Sequence, residues 1–171
     1  MSVLKVDHLC VDYHSRTGHI RLVDDISFDI QPNKTLAIVG ESGCGKSMTA
    51  LAMMRLLPDG ATITKGVITL EGDSLTDLPE AQMRDIRGAS MSMIFQEPMT
   101  SLNPVFSVGE QIAEVLRLHT DLDKQQIREK VQALIRSVGI SDAGQRSSAY
   151  PHELSGGMRQ RIMIAMALAC S

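Results

Sequence analysis

The octapeptide GESGCGKS, residues 40–47, constrains this chain more than any other stretch. It fits the pattern GxxxxGK[ST], and its flanks match the context which that pattern requires, a buried strand before it and a helix after it. TLAIV, residues 35–39, is continuously apolar, as expected of a strand covered on both faces of a parallel sheet. KSMTALAMMRLL reads as a helix ended by Pro58, with Asp59 and Gly60 in the turn. Gly40, Gly43 and Gly45 allow dihedrals that a Cβ would penalise, so the backbone from Gly40 through Glu41, Ser42, Cys44 and on to Met48 can turn successive N–H groups toward one anion. The helix adds its own unpaired N–H groups and the positive end of its dipole. Lys46 then supplies a charge for β- and γ-phosphates, and the Ser47 hydroxyl a ligand for Mg²⁺. A nucleotide site on an α/β scaffold is the expectation.

Other features narrow the class. A GTPase would also carry a guanine-reading NKxD; Asp85-Ile86-Arg87-Gly88 fits the companion DxxG, but the only asparagines are Asn33 and Asn103, and neither begins NKxD. With 171 residues and 43% hydrophobic content the chain has the size of one globular domain. A formal charge of −3, with 17 Lys and Arg spread along the chain, gives no electrostatic case for a nucleic-acid partner. Cys10, Cys44 and Cys170 lack disulfide or zinc spacing, and the five histidines suggest no metal site. MSVLKVDHLC does not read as a signal peptide, and the apolar run from Ile162 to Cys170 is about half of the roughly 18 residues of a membrane span. Any membrane role is therefore expected to come through a partner.

Along the rest of the chain, Ile26, Phe28 and Ile30 alternate with polar residues as in a strand with one buried face. VITL, 67–70, suggests a short strand, and MSMIF, 91–95, a second buried one. Ser107 and Glu110 form a capping box before Val108, Ile112, Val115, Leu116 and His119 at helical spacing. Asp123 is expected to cap a second helix with Ile127, Val131, Leu134, Ile135 and Val138 on one face and Gly139 as its stop. Residues 141–153 read as a loop.

Leu154-Ser155-Gly156-Gly157-Met158 resembles the LSGGQ signature of ABC-type ATPases, with Met158 in place of Gln. Ser155 is expected to cap a helix while Gly156 and Gly157 expose backbone N–H groups, a second anion site at a helix N-terminus. The resemblance implies that this site covers the γ-phosphate of ATP held by the opposite subunit or module of a head-to-tail dimer. By the same resemblance Gln96, just beyond MSMIF, takes the place of the Q-loop glutamine, whose amide reaches Mg²⁺ and the attacking water. Tyr13 resembles the aromatic that stacks on adenine, although a tyrosine ending an edge strand would look the same. QEPMTSLNP, 96–104, and YPHELSGGMRQRIMIAMAL, 150–168, are similar to the ATP-binding subunits of dipeptide, oligopeptide and nickel importers, and RGASMSMIFQEPMTSLNPVFSVGEQI to glutathione import ATP-binding proteins in particular.

The resemblance implies an α/β, P-loop NTPase fold of the ABC ATPase kind, a RecA-like core with an N-terminal antiparallel β subdomain and a helical subdomain. On the sequence these parts fall at 1–34, 35–97, 98–153 and, for the signature and its helix, 154–171. It also implies integral-membrane permease subunits as partners, an extracytoplasmic solute-binding protein indirectly, and a peripheral location on the cytoplasmic face of the cell membrane. In the family a Walker B strand with an Asp and a Glu, and later a switch histidine, follow the signature helix; no run of four apolar residues here ends in Asp-Glu. The chain is accordingly expected to be truncated inside its ATPase domain, marginally stable, and without hydrolysis alone. The alternatives are a non-transport ABC ATPase of DNA repair or chromosome organisation, and an inert fragment. About 110 residues separate the two motifs without heptads or CxxC pairs, which favours the transporter.

Overall fold

The computed structural model describes residues 2–15, 18–96 and 101–170. Glu97 to Thr100 of the QEPMTSLNP run lie outside the described residues. The chain divides into two compact units, Met1–Met83 and Arg84–Ser171.

The first unit is built on an antiparallel sheet in the order β2-β1-β3-β4, from β1 (Leu4–Ser15), β2 (Gly18–Ile30), β3 (Ala61–Leu70) and β4 (Asp73–Ser74). The alternation at 26–30 belongs to β2, on the sheet edge, with Ile26, Phe28 and Ile30 half-buried and Ser27 and Asp29 exposed. VITL is the end of β3. β1 lies between two neighbours, and its period is broken: Leu9, Cys10, Val11 and Asp12 are all buried in succession. The cause is a bulge. The β1–β2 register shifts between Val6 and Leu9, and again before and after Val11, with His8 at φ 50° and Asp25 at φ 49°. A bulge frees N–H groups from the ladder. Here the His8 N–H donates to Ser27 Oγ at 2.8 Å and the Asp25 N–H to Cys10 Sγ at 3.3 Å, while the His8 ring and the Asp25 carboxylate meet at 2.7 Å.

Helix α1 (Lys46–Met53) follows the glycine-rich loop and packs against β1 and β2. It is shorter than the pattern suggests. Arg55 adopts a left-handed conformation, φ 51°, that ends the helix before Pro58 is reached, and its guanidinium donates to the Leu75 carbonyl at 3.3 Å and to that of Leu78.

Two expected strands are absent. TLAIV is not part of a sheet, and Leu36, Ile38 and Val39 are exposed, Val39 at 87%. MSMIF is likewise unpaired apart from one bridge between Met91 and Arg87, and Ile94 and Phe95 are exposed. The physical reason is common to both. A strand buried on two faces exists only where neighbours accept and donate its ladder hydrogen bonds, and no strand among the described residues runs beside either segment.

Helix α2 (Glu80–Ile86) spans the boundary between the units. The second unit is helical: α3 (Val108–His119), α4 (Lys124–Ser137), α5 (Ala143–Arg146), a 3₁₀ turn at Pro151–Glu153, and α6 (Gly156–Ala167). Residues 141–153 are thus not the featureless loop of the sequence reading. Asp142 at φ 54° starts α5, which buries Ala143. Val108, Ile112 and Leu116 of α3 meet Ile127, Val131, Leu134 and Ile135 of α4 and Ile162, Met163 and Ala165 of α6 in one core. Asp123 makes a complete capping box with Gln126, and Gly139 at φ 75° follows the helix end. Ser107 caps α3 by accepting from the Glu110 N–H at 3.3 Å, but only half of that box forms, because the Glu110 carboxylate accepts from Arg117 at 2.5 Å instead. Buried Gln111 donates to the carbonyls of Asn103 and Phe106 and accepts from the Asn103 N–H, fixing the turn that enters α3.

Asp12 is the buried acid of the sheet. It accepts from Arg21 Nε at 2.9 Å and Thr64 Oγ1 at 2.6 Å, with His19 Nε2 at 3.2 Å. The Arg21 guanidinium first, then the Thr64 hydroxyl, hold its carboxyl well below the usual carboxylate range. Because the folded value lies below the unfolded one, the stabilisation is present above about pH 4 and is lost as the pH falls toward the folded value. Asp12→Asn should therefore be less stable than the parent at pH 7, with a difference that shrinks on acidification below about pH 4. Urea unfolding of both chains at neutral and acid pH measures this; a pH-independent difference would mean that the charge contributes nothing.

Candidate functional site

The loop before α1 leaves a helix terminus open. Gly45 is the N-cap, at φ 92°, and makes no side-chain cap; no acidic residue stands in the first turn. A Cβ on Gly45 would lie 2.6 Å from the Leu22 carbonyl oxygen, so both conformation and space exclude other residues. Gly43 shares the left-handed conformation, φ 86°. Gly40 does not. A Cβ there would meet Cys44 Sγ at 2.5 Å, so that the thiol would have to move, and this corrects the expectation of a shared conformational need. Within the loop the Cys44 N–H donates to the Glu41 carbonyl at 3.3 Å, and the Thr49 N–H donates to that of Gly45 at 2.8 Å. No acceptor among the described residues serves the N–H groups of Gly45, Lys46, Ser47 and Met48.

Lys46 Nζ donates to the carbonyls of Gly40 at 2.8 Å and Glu41 at 2.7 Å and lies 3.5 Å from Cys44 Sγ. The ammonium thus closes the loop as a ring around the thiol. Ser47 is exposed on the first turn, as are Glu41 and Ser42 in the loop, whereas Met48 is half-buried. Beside the loop, Arg21, Val23, Ile38, Cys44, Lys46 and Thr49 line an open cleft of about 380 Å³. These groups can hold a phosphate anion through backbone donors and one cation, and can offer a hydroxyl to a divalent ion.

Tyr13 belongs to the same unit as the loop but does not end an edge strand. It lies in the central strand β1, opposite Ile20 and Ala61, half-buried, with one ring edge against Gly60: a Cβ there would lie 3.0 Å from Tyr13 Cε2.

Gln96 and the 155–157 segment belong to the second unit. Gln96 is exposed in a bend after the unpaired 91–95 segment. Ser155 caps α6, accepting from the Met158 N–H at 3.3 Å. Gly156 and Gly157 are exposed, have no positive φ, and a Cβ on either would meet nothing within 4 Å. Nothing in the chain's own packing asks for glycine there.

The sequence reading took Met158 only as standing in place of Gln and did not single out Arg159. Met158 packs against the helical core. Arg159 Nε donates to the carbonyls of Pro151 at 2.6 Å and Leu154 at 3.0 Å. A long side chain one turn into a helix leans back over the residues before it, so an Arg four positions after a cap residue carried the clue. No group of three or more His, Cys, Asp or Glu among the described residues could hold a metal ion.

Comparison with known proteins fits this geometry. The dipeptide transport ATP-binding protein DppD of Bacillus subtilis (strain 168) is 48% identical over 169 residues, which are 98% of this chain and 50% of the relative. The glutathione import ATP-binding protein GsiA of Escherichia coli (strain K12) is 49% identical over 175 residues, covering 99% of this chain and 28% of the relative. The chain thus spans half or less of the length of these two relatives. Among solved structures, a dimeric post-hydrolysis state of the ATP-binding cassette MJ0796, bound to ADP and Pi, superposes with a TM-score of 0.84 at 21% identity, over 98% of this chain and 69% of that one. That likeness shows the α/β cassette fold. Residues 23–171 match the family described as ABC transporter, and the chain belongs to that family.

Proposed function

We propose that the protein containing this chain is the ATP-binding component of an ABC importer for peptides or similar small solutes, coupling ATP binding and hydrolysis to transport. Members of the family bind nucleotide, generally with Mg²⁺. The observation that carries the reading is the uncapped start of α1, where four N–H groups without an acceptor stand beside Lys46. An array of this kind suits a polyphosphate, because each donor is already oriented and the charge is fixed. The names of the relatives, dipeptide transport and glutathione import ATP-binding proteins, support the solute class.

In this reading the N–H groups between Gly40 and Met48 cradle the phosphates, and Lys46 exchanges the carbonyls of Gly40 and Glu41 for phosphate oxygens. Ser47 would offer its hydroxyl to Mg²⁺, which would neutralise phosphate charge. Gln96 would orient water, and the ring of Tyr13 would stack on the adenine. Ser155, Gly156 and Gly157 cover the γ-phosphate held by a second ATPase subunit or module in a head-to-tail dimer, which gives the two glycines the function that their own surroundings do not. Integral-membrane permease subunits are the further partners, with an extracytoplasmic solute-binding protein acting through them. The protein works peripherally at the cytoplasmic face of the cell membrane; no helix among the described residues is long and apolar enough to cross one.

Two measurements test the phosphate loop. Lys46→Ala removes a charged donor and leaves the backbone cradle. A charge-assisted hydrogen bond contributes about 1.5–3 kcal/mol, so calorimetric titration with MgATP should show binding weakened roughly 10- to 100-fold. Equal affinity in the two chains would remove Lys46 from the site. Thiol alkylation gives the second. Cys44 is exposed in the loop, Cys10 is buried, and burial pushes the Cys170 thiol up. N-ethylmaleimide should reach Cys44 first, and MgATP should slow that reaction. Protection of Cys170 or Cys10 with Cys44 unaffected would place the nucleotide elsewhere.

A further inference from the structure

The start of α6 poses a mechanical problem. Its first two positions are Gly156 and Gly157, the poorest helix formers after Pro, and a Cβ on either would meet nothing within 4 Å. A first turn of this composition frays unless it is fastened from outside the backbone. Three side chains fasten it. Ser155 Oγ accepts from the Met158 N–H at a long 3.3 Å, and Met158 is anchored by packing on the helical core. The third fastening is Arg159, whose Nε–H is shared between the carbonyls of Pro151 and Leu154. Those carbonyls bracket the turn that leads into the helix. The same turn is closed from its other side, where the Tyr150 N–H donates to the Glu153 carboxylate at 2.7 Å, and Tyr150 stacks on His152. Farther along α6, Arg161 Nη1 donates to the Gly139 carbonyl at 2.9 Å and ties the helix to the end of α4.

We propose that Arg159 is a positioning residue: by clasping the Pro151 and Leu154 carbonyls it fixes the direction in which the N–H groups of Gly156 and Gly157 point. The inference rests on the reading that these groups face a nucleotide held by a partner. Arg159 does not touch that nucleotide. Its side chain leans backward along the helix to the 151–154 turn, and its effect on turnover passes through the backbone. A planar guanidinium on a short, part-buried path suits the task because one N–H reaches two oxygens without losing much freedom per bond.

The test uses the whole protein with its dimer partner. Arg159→Ala should lower kcat on the order of 10²-fold, the scale of a misplacement of about 1 Å, while the KM for ATP changes less than about threefold because the P-loop still captures nucleotide. Hydrogen exchange without nucleotide should be faster in Arg159→Ala at the amide of Met158, whose N–H is held by Ser155 Oγ. Arg159→Lys, which keeps a donor within reach of the carbonyls, should recover part of both losses. Unchanged kcat in Arg159→Ala overturns the proposal. So does a loss of kcat that comes with an equal loss of MgATP affinity and of thermal stability and is not improved by Lys, since that pattern means a general folding role. Gly157→Asp separates the underlying reading from the inference. If it leaves turnover intact, 155–157 does not face nucleotide and both fail; if it abolishes turnover while Arg159→Ala does not, the inference alone fails.

Discussion

A helix cannot satisfy the N–H groups of its own first turn, and the way this chain treats that constraint organises it. α3, α4 and α6 each begin with a side-chain oxygen that accepts, from Ser107, Asp123 and Ser155. α1 begins with Gly45, which has no side chain to offer, and with Lys46, whose charge is repelled by the helix dipole. A terminus built against its own stability makes sense if the missing acceptor comes from outside. Lys46 meanwhile turns to the carbonyls of Gly40 and Glu41, so the loop is held in a curve rather than left slack.

What was legible in the sequence follows the range of the interaction responsible. Caps and stops are local, and Ser107, Asp123, Gly139 and Ser155 act where the pattern put them. Glu110 shows the limit of even a local rule. Its carboxylate had two partners within reach, the Ser107 N–H and the Arg117 guanidinium, and the charged one won. The helical core was readable from spacing because Ile127, Val131 and Leu134 keep a 3.6-residue period.

Strands were less legible because a strand is a statement about a neighbour. The apolar run at 35–39 led to the expectation of a buried strand, but burial needs hydrogen-bonded strands alongside, and Val39 stands exposed. β1 failed in the opposite direction. It is the centre of its sheet, but the bulge at His8 shifts the period midway, so four consecutive buried residues replace the alternation that would have announced it. The side chains that repair the bulge, Ser27 and Cys10, come from positions 19 residues away from His8 and 15 from Asp25, a pairing no local pattern encodes. Cys10 therefore has a structural use as an acceptor within the sheet, as Cys44 has toward Lys46 Nζ in the loop.

The glycines separate fold from function most directly. Gly45 is required from within: its φ of 92° and the Leu22 carbonyl 2.6 Å from any Cβ exclude other residues whatever the loop binds. Gly156 and Gly157 are the reverse, because the chain would pack equally well, and hold its helix more firmly, with alanine at either position. Retaining two flexible residues at a helix start, and then fastening that start with Arg159 and Met158, would be pointless for stability alone. It becomes intelligible when something must approach the backbone more closely than a Cβ permits while the backbone itself holds still. Bare surface and a fixed direction are separate requirements, and in this segment different residues meet them.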